Sequence, residues 1–217
     1  MEKVPPQEIH QRLARFQAAL ATVDLDGALL FQDVDILYFS GTLQSSILFI
    51  PTEGHPILMV QKGFQRVQEE SPLENIVAVN GKNHLAGRLR DFGIRRIERV
   101  GLEMDVLPAQ LYLWLGESFP QCRFVDVSGI IRKERMIKSL YEVDQIRKAA
   151  TILHQGYTEI QGFIKQGVSE LEMDGRLALI ARREGHMGVL RMRGWNQEMT
   201  HAHVLSGESG VAAVDSS

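Results

Sequence analysis

Along the first part of the chain the apolar positions change period. Ile9, Leu13, Phe16, Leu20 and Val23 stand at 4-3-4-3 spacing, which predicts a surface helix over residues 8–23 with one apolar stripe. Asp26-Gly27 turns the chain, and Ala28 to Phe31 is short and apolar enough for a buried strand. Ser46 to Ile50 and Ile57 to Val60 flank Pro51-Thr-Glu-Gly-His-Pro56, and proline with glycine between two apolar runs predicts a hairpin with a longer loop. Then the chain alternates. Ile76 to Val79 reads as a strand, residues 83–92 as a helix, and Val100 to Leu102 as a strand. Pro108 opens a helix through Trp114 as a first-turn proline would, and Phe124 to Val127 makes a final strand. Strands alternating with helices, plus one antiparallel hairpin, predict an α/β domain with a mixed sheet, ending near residue 133.

The pattern changes beyond that point. Ser139-Leu-Tyr-Glu142 is a capping box, in which the Ser hydroxyl takes an orphan N–H and the Glu carboxylate returns to the cap's own N–H. Behind it Val143, Ile146, Ala150, Leu153, Tyr157, Ile160 and Ile164 repeat at helical spacing, predicting a long helix with one apolar seam. A coiled coil would show the same seam, but under ~4 heptads it reads better as a core face. Gly167 is placed at the end of this helix, and Ser169-Glu-Leu-Glu172 is a second capping box opening a helix to Gly185. From Asn196 to Gly207 alternation predicts a strand. The expected organisation is therefore two domains, 1–133 and 134–217, with two helices and a strand in the second.

Composition narrows the class. The 217 residues carry 24 Lys+Arg against 27 Asp+Glu, a formal charge of -3, and nothing in that balance suggests a nucleic-acid partner. The basic stretch Arg88 to Arg99 is interrupted by Asp91 and Glu98 and reads as a solvated rim. A single cysteine, Cys122, excludes a disulfide framework and a cysteine-rich metal site, and its apolar neighbours suggest a small core residue. Residues 1–6 lack the apolar stretch of a secretion signal, and no run approaches the ~18 apolar residues of a membrane span. The expectation is a cytoplasmic protein without a membrane partner.

Local chemistry is sparse. His201-x-His203 in a strand would project two imidazoles from one face, able to share a metal if Glu198, Glu208 or Asp215 supplied a third ligand. The alternative is two histidines at a strand end, one satisfied by a backbone carbonyl. Gly207-Glu-Ser-Gly210 could cradle an anion on successive N–H groups, but it matches neither a P-loop nor the dinucleotide fingerprint, and a tight turn is expected. Glu170 and Asp174 share a helix face in the first turns, where the helix dipole accounts for them.

A wider set of residues carries a resemblance. Val100-Gly-Leu-Glu-Met-Asp-Val-Leu-Pro108, Phe124-Val-Asp-Val-Ser128, Arg135-Met-Ile-Lys-Ser139 and Glu142-Val-Asp-Gln-Ile-Arg-Lys-Ala-Ala150 occur in this order. Together they resemble the Xaa-Pro aminopeptidase, prolidase and creatinase family. Asp26 to Leu30, Ile36 to Gly41 and Gly167-Val-Ser-Glu170 look like further pieces of the same pattern. The resemblance implies a creatinase/prolidase-like N-terminal α/β domain followed by the incomplete start of an α+β pita-bread domain. In active members that second domain holds two divalent metals (manganese, cobalt or zinc) and cleaves a peptide bond before proline. The metals are bound by two Asp, one His and two Glu, and polarise the scissile carbonyl. None of these five ligands maps onto a position of this sequence.

The expectation is thus a fragment of a metal-dependent Xaa-Pro peptidase, holding no metal pair itself, inactive alone and self-associating into a homo-oligomer. No catalytic residue is assigned, and His203, with His201, is the candidate for the edge of the substrate cleft. The alternatives are a non-catalytic dimerisation or binding module of a pseudoenzyme, or a metal-free creatinase-like parent.

Overall fold

A computed structural model of the chain describes residues 3–81, 84–188, 190–194, 198–199 and 204–211. The chain divides into two units. The first runs through Ile137 and takes back a short segment that opens at Arg193, and the second holds Lys138–Met192 and the described residues after that segment.

In the first unit, helix α1 (Pro6–Ala21) leads into strand β1 (Gly27–Leu30), α2 (Asp33–Ser40), β2 (Ser46–Pro51), β3 (Ile57–Val60), α3 (Phe64–Glu70) and β4 (Asn75–Ala78). Then come α4 (Leu85–Asp91), β5 (Arg99–Leu102), α5 (Ala109–Ser118), β6 (Arg123–Asp126) and α6 (Ser128–Met136). The six strands form one sheet in the order β4-β3-β2-β1-β5-β6. β2 pairs antiparallel with β1 and β3, and the pairs β1/β5, β5/β6 and β3/β4 are parallel. This is the mixed sheet with one hairpin that the sequence pattern predicts.

The pleat sorts the core by parity. Ala28, Leu30, Leu48, Ile50, Leu58 and Val60 pack with Ile9, Leu13, Phe16 and Leu20 of α1, Ile36 and Phe39 of α2, and Ile131 of α6. The intervening residues Leu29, Ile47, Phe49, Ile57 and Met59 pack on the other face with Leu85 and Leu89 of α4 and Leu115 of α5. Both faces are covered, so the strands read as continuous apolar runs rather than alternating ones. Gly101 in β5 is needed where the sheet meets α6. A Cβ there would lie 2.5 Å from a Val127 methyl and 3.3 Å from the Ala28 Cβ.

The helix boundaries differ from the sequence expectation in instructive ways. α1 stops at Ala21, so Val23 falls past its end and is exposed. Pro108 caps α5 from outside rather than sitting in its first turn. α2 carries no amphipathic period, because Ile36, Tyr38 and Phe39 are buried together with Asp35 and Ser40. It is fixed instead by its ends. The Gln32 side chain accepts from the Val34 and Asp35 N–H groups, and Gly41 closes the helix at φ +80°.

In the second unit, α7 (Leu140–Ile160) and α8 (Glu170–Arg183) form a helical hairpin. Both capping boxes are made: the Ser139 and Ser169 hydroxyls accept from the Glu142 and Glu172 N–H groups, and both carboxylates accept from the serine N–H at 2.9 Å. The helices close where Gly156 faces Leu177, beside buried Ile160 and Ile180. α7 ends at Ile160 and not at Gly167. The N–H groups of Gly162 and Phe163 turn back to the Glu159 and Ile160 carbonyls, tightening the last turn ahead of the loop. Ile146, Leu153 and Tyr157 of the seam are 54–62% exposed. The seam therefore lines an open helix face, not a filled core.

Strand β7 (Leu190–Arg191) pairs antiparallel with β8 (Glu198–Met199). The tight turn expected at Gly207–Gly210 is instead a short helix, α9 (Gly207–Val211). Ser206, just before it, donates its N–H and hydroxyl to Glu170 at the start of α8. Among the described residues no helix is long and apolar enough to cross a membrane.

Candidate functional site

The densest arrangement of ionisable side chains in the first unit lies at the carboxyl ends of β1 and β5. In open α/β sheets that edge gathers functional groups, because the loops leaving neighbouring strands diverge there. β5 delivers Glu103 straight out of the apolar run Val100 to Leu102, into a position with no exposed surface. Its Oε2 accepts from the Phe31 and Gln32 N–H groups, which follow β1, at 2.8 and 3.2 Å. The side chain thus clips together the loops that leave two adjacent parallel strands.

Asp35, on the first turn of α2, is equally buried. Its carboxylate is held between two guanidiniums, with Arg135 on Oδ1 and Arg193 on Oδ2, each at 2.6 Å. Arg193 also forks onto Asp105, with Nη2 donating to Oδ1 at 3.0 Å and Nη1 to Oδ2. Arg132 of α6 lies 3.3 Å from the same Oδ2. Below them Asp126 accepts from the Ser128 N–H and hydroxyl, and the Ser128 hydroxyl accepts from the Asp105 N–H at 3.2 Å. α6 is thereby tied by Ser128, Arg132 and Arg135 to the edge where Asp105 and Asp35 stand.

The electrostatics follow from burial and pairing. Burial drives the Glu103 carboxyl well above the usual carboxylate range, and the charge of Asp35 and a hydrogen bond with it push the same way. The two backbone N–H donors pull in the other direction and lose. No N–H or hydroxyl among the described residues reaches Glu103 Oε1. Partial burial works against the charge on Asp105, yet hydrogen bonds from Arg193 and Ser128, with the charges of Arg193 and Arg132, hold its carboxyl below the usual range. Burial likewise opposes the charge on Arg193, and the bonds to Asp105 and Asp35 more than restore it.

Chemically this is a positioning cluster. Asp35 and Asp105 face guanidiniums, Asp126 accepts from Ser128, and Glu103 accepts backbone N–H groups on one oxygen. Among the described residues no group of three or more His, Cys, Asp or Glu is arranged to hold a metal ion. These residues do not fit the pair of divalent metals that the resemblance implies for active relatives.

The candidates from the sequence fall elsewhere. His201 and His203 lie outside the described residues, as does Asp215. Glu198 is in β8, and Glu208 is in α9. Cys122 is half-buried against the second core face, and burial pushes its thiol up to about 11. Glu103 and Asp105 stood inside a recognisable run, but pattern reading gave them no separate role. The available signal was a charge set directly after a buried strand with no intervening turn. Asp35 and Arg193 had no comparable signal, because their meeting is tertiary.

Comparison with known proteins places this architecture in a class. The family model of the Creatinase/Prolidase N-terminal domain matches residues 12–137, more than half of the chain. The chain belongs to that family. Among curated proteins it is 26% identical to the creatinase of Bacillus sp. (strain B-0618) over 185 residues, covering 79% of this chain and 45% of the relative. Among solved structures, the Xaa-Pro dipeptidase from Bacillus anthracis superposes with a TM-score of 0.74 at 23% identity, over 82% of this chain and 50% of that one. The prolidase from Pyrococcus horikoshii OT3 gives 0.73 at 21%, with the same coverage. The chain spans about half the length of these relatives.

Proposed function

We propose that this chain supplies the amino-terminal half of a metal-dependent hydrolase acting on peptides with proline at the second position. In this reading residues 1–133 are the scaffold domain, and residues 134–217 begin a pita-bread catalytic domain. The observation that carries it is the family match over residues 12–137, continued by two capped helices in a chain that aligns with about half of each relative. The pair of divalent metals (manganese, cobalt or zinc) and the hydrolytic groups belong to the whole enzyme. Among the described residues no ligand set for them is arranged, and in this reading the 217-residue chain does not cleave peptides by itself and acts in the cytoplasm.

The open apolar face of α7, with Ile146, Leu153 and Tyr157 exposed, supports association with further protein, including a second copy in a homo-oligomer. A second reading, a creatinase-like parent that hydrolyses a guanidino compound without metal, is favoured by the creatinase relative. The test is metal analysis together with a Xaa-Pro dipeptide assay on the 217-residue protein. Substoichiometric metal and no turnover are expected. Stoichiometric tightly bound metal with turnover would overturn the reading.

A further inference from the structure

Asn80 and Gly81 follow the last bond that ties the end of β4 to its neighbour, from the Val79 N–H to the Val60 carbonyl at 2.8 Å. Both residues are exposed, and of the asparagines in the chain Asn80 alone precedes glycine. We propose that this dipeptide is a self-modifying site, at which Asn80 loses its side-chain amide as ammonia and His84 assists the reaction.

The local geometry suits that chemistry. Gly81 sits at φ +81°, and a Cβ built on it would meet nothing within 4 Å. The glycine thus answers a backbone requirement, and its missing Cβ leaves its nitrogen open to the side chain before it. Among the described residues no acceptor takes the Gly81 N–H. His84 closes the connection twice, with its N–H on the Gly81 carbonyl at 3.4 Å and its ring Nδ1 on the Asn80 carbonyl at 2.7 Å. A carbonyl only accepts, so Nδ1 carries the hydrogen.

The steps balance with water alone. Hydroxide takes the Gly81 amide proton, and the charge left behind is shared between that nitrogen and the Asn80 main-chain oxygen. The Nδ1–H of His84 already points at this oxygen and stabilises the developing charge. The nitrogen then bonds to the Asn80 side-chain carbonyl carbon, closing a cyclic imide. The bond from that carbon to the amide nitrogen breaks, and ammonia leaves with a proton from water, which returns the hydroxide. Water next opens the imide. Opening at the side-chain carbon gives aspartate. Opening at the main-chain carbon gives isoaspartate, with the chain rerouted through the side chain and a free carboxylate on the carbon whose oxygen His84 holds. Because His84 polarises that carbonyl, isoaspartate is the major product. The product is more negative by one charge, and the main chain between β4 and α4 is longer by one carbon.

The test is incubation of the folded full chain at neutral to mildly alkaline pH, beside a free peptide of residues 77–86. Conversion is followed by mass, and chromatography separates aspartate from isoaspartate. Asn75, paired with Ile57 inside β4 and followed by Ile76, is the internal control. Asn80 should convert at least as fast in the folded chain as in the peptide, while Asn75 stays intact. His84→Phe and His84→Ala should each slow conversion in the folded chain by roughly three- to tenfold, the worth of one hydrogen bond. Both should also lower the isoaspartate share, which a merely structural histidine would not change, and neither should affect the peptide. Two variants guard against one failing to fold, which circular dichroism checks. Conversion in the folded chain more than about tenfold slower than in the peptide would overturn the proposal. So would a rate and product ratio that match the wild type in both His84 variants.

Discussion

Replacing Glu103 by glutamine should change the pH dependence of stability in a direction opposite to that of most carboxyl groups. An ordinary paired carboxylate has a depressed value in the folded state and contributes stability that is lost on acidification. Glu103 is raised, because burial and the neighbouring Asp35 disfavour its anion. The folded protein then holds a proton that the unfolded chain, with an ordinary value near ~4.3, has already released. Stability is fully present below the unfolded value and falls as pH rises through the window up to the raised folded value. One proton difference sets the slope at about 1.4 kcal/mol per pH unit in that window. Glutamine keeps the shape and the acceptor for the Phe31 and Gln32 N–H groups but cannot ionise, so this component vanishes. Amide exchange of Ala28–Leu30 and Val100–Leu102, in the two strands Glu103 clips together, reports opening of the first unit. The wild-type minus variant difference in opening free energy should decline as pH rises above the unfolded carboxyl value, all other titrations cancelling. A flat difference, or one that rises with pH, would refute the protonated Glu103.

Three further outcomes are expected. Gly101→Ala should destabilise the first unit by roughly 1–3 kcal/mol through overpacking against the Val127 methyl that its Cβ would meet at 2.5 Å; in denaturant titrations Val127→Ala should recover part of that loss in the double variant. Ser139→Ala removes a hydroxyl cap and should cost about 0.5–2 kcal/mol, seen as faster amide exchange in the first turn of α7, where Glu142 donates to that hydroxyl. Cys122, with its thiol raised from 9.0 to about 11, should carry about a hundredfold less thiolate at pH 8 than an unperturbed cysteine and react correspondingly slowly with a disulfide reagent in the native state.

The sheet was legible because its strands are short apolar runs bounded by Gly, Pro and Asp, and because both faces are covered. The capping boxes were legible because a Ser and a Glu three residues apart define the bond before any tertiary contact exists. α2 and α3 were not, for a physical reason. α2 is buried around most of its surface and shows no period, and α3 buries only Val67. The seam lies on α7 as far as Ile160, while Ile164 falls past the helix end, and periodicity says nothing about what covers that face. The charge cluster was the least visible part. Asp35, Glu103, Asp105, Arg135 and Arg193 are spread over most of the chain, and only the parallel pairing of β1 with β5 brings the first three together.

The strand order has a consequence for assembly. In the six-stranded sheet the outermost strands, β4 and β6, each leave one side of their main chain unpaired, and each is four residues long. β6 places a charged residue at each end, Arg123 and Asp126, both solvent-facing. A short, charge-bounded rim such as β6 offers little template for a foreign strand to zip onto. Growth by edge-to-edge addition through β6 is disfavoured, which leaves the exposed helix face of α7 as the more favourable surface for association.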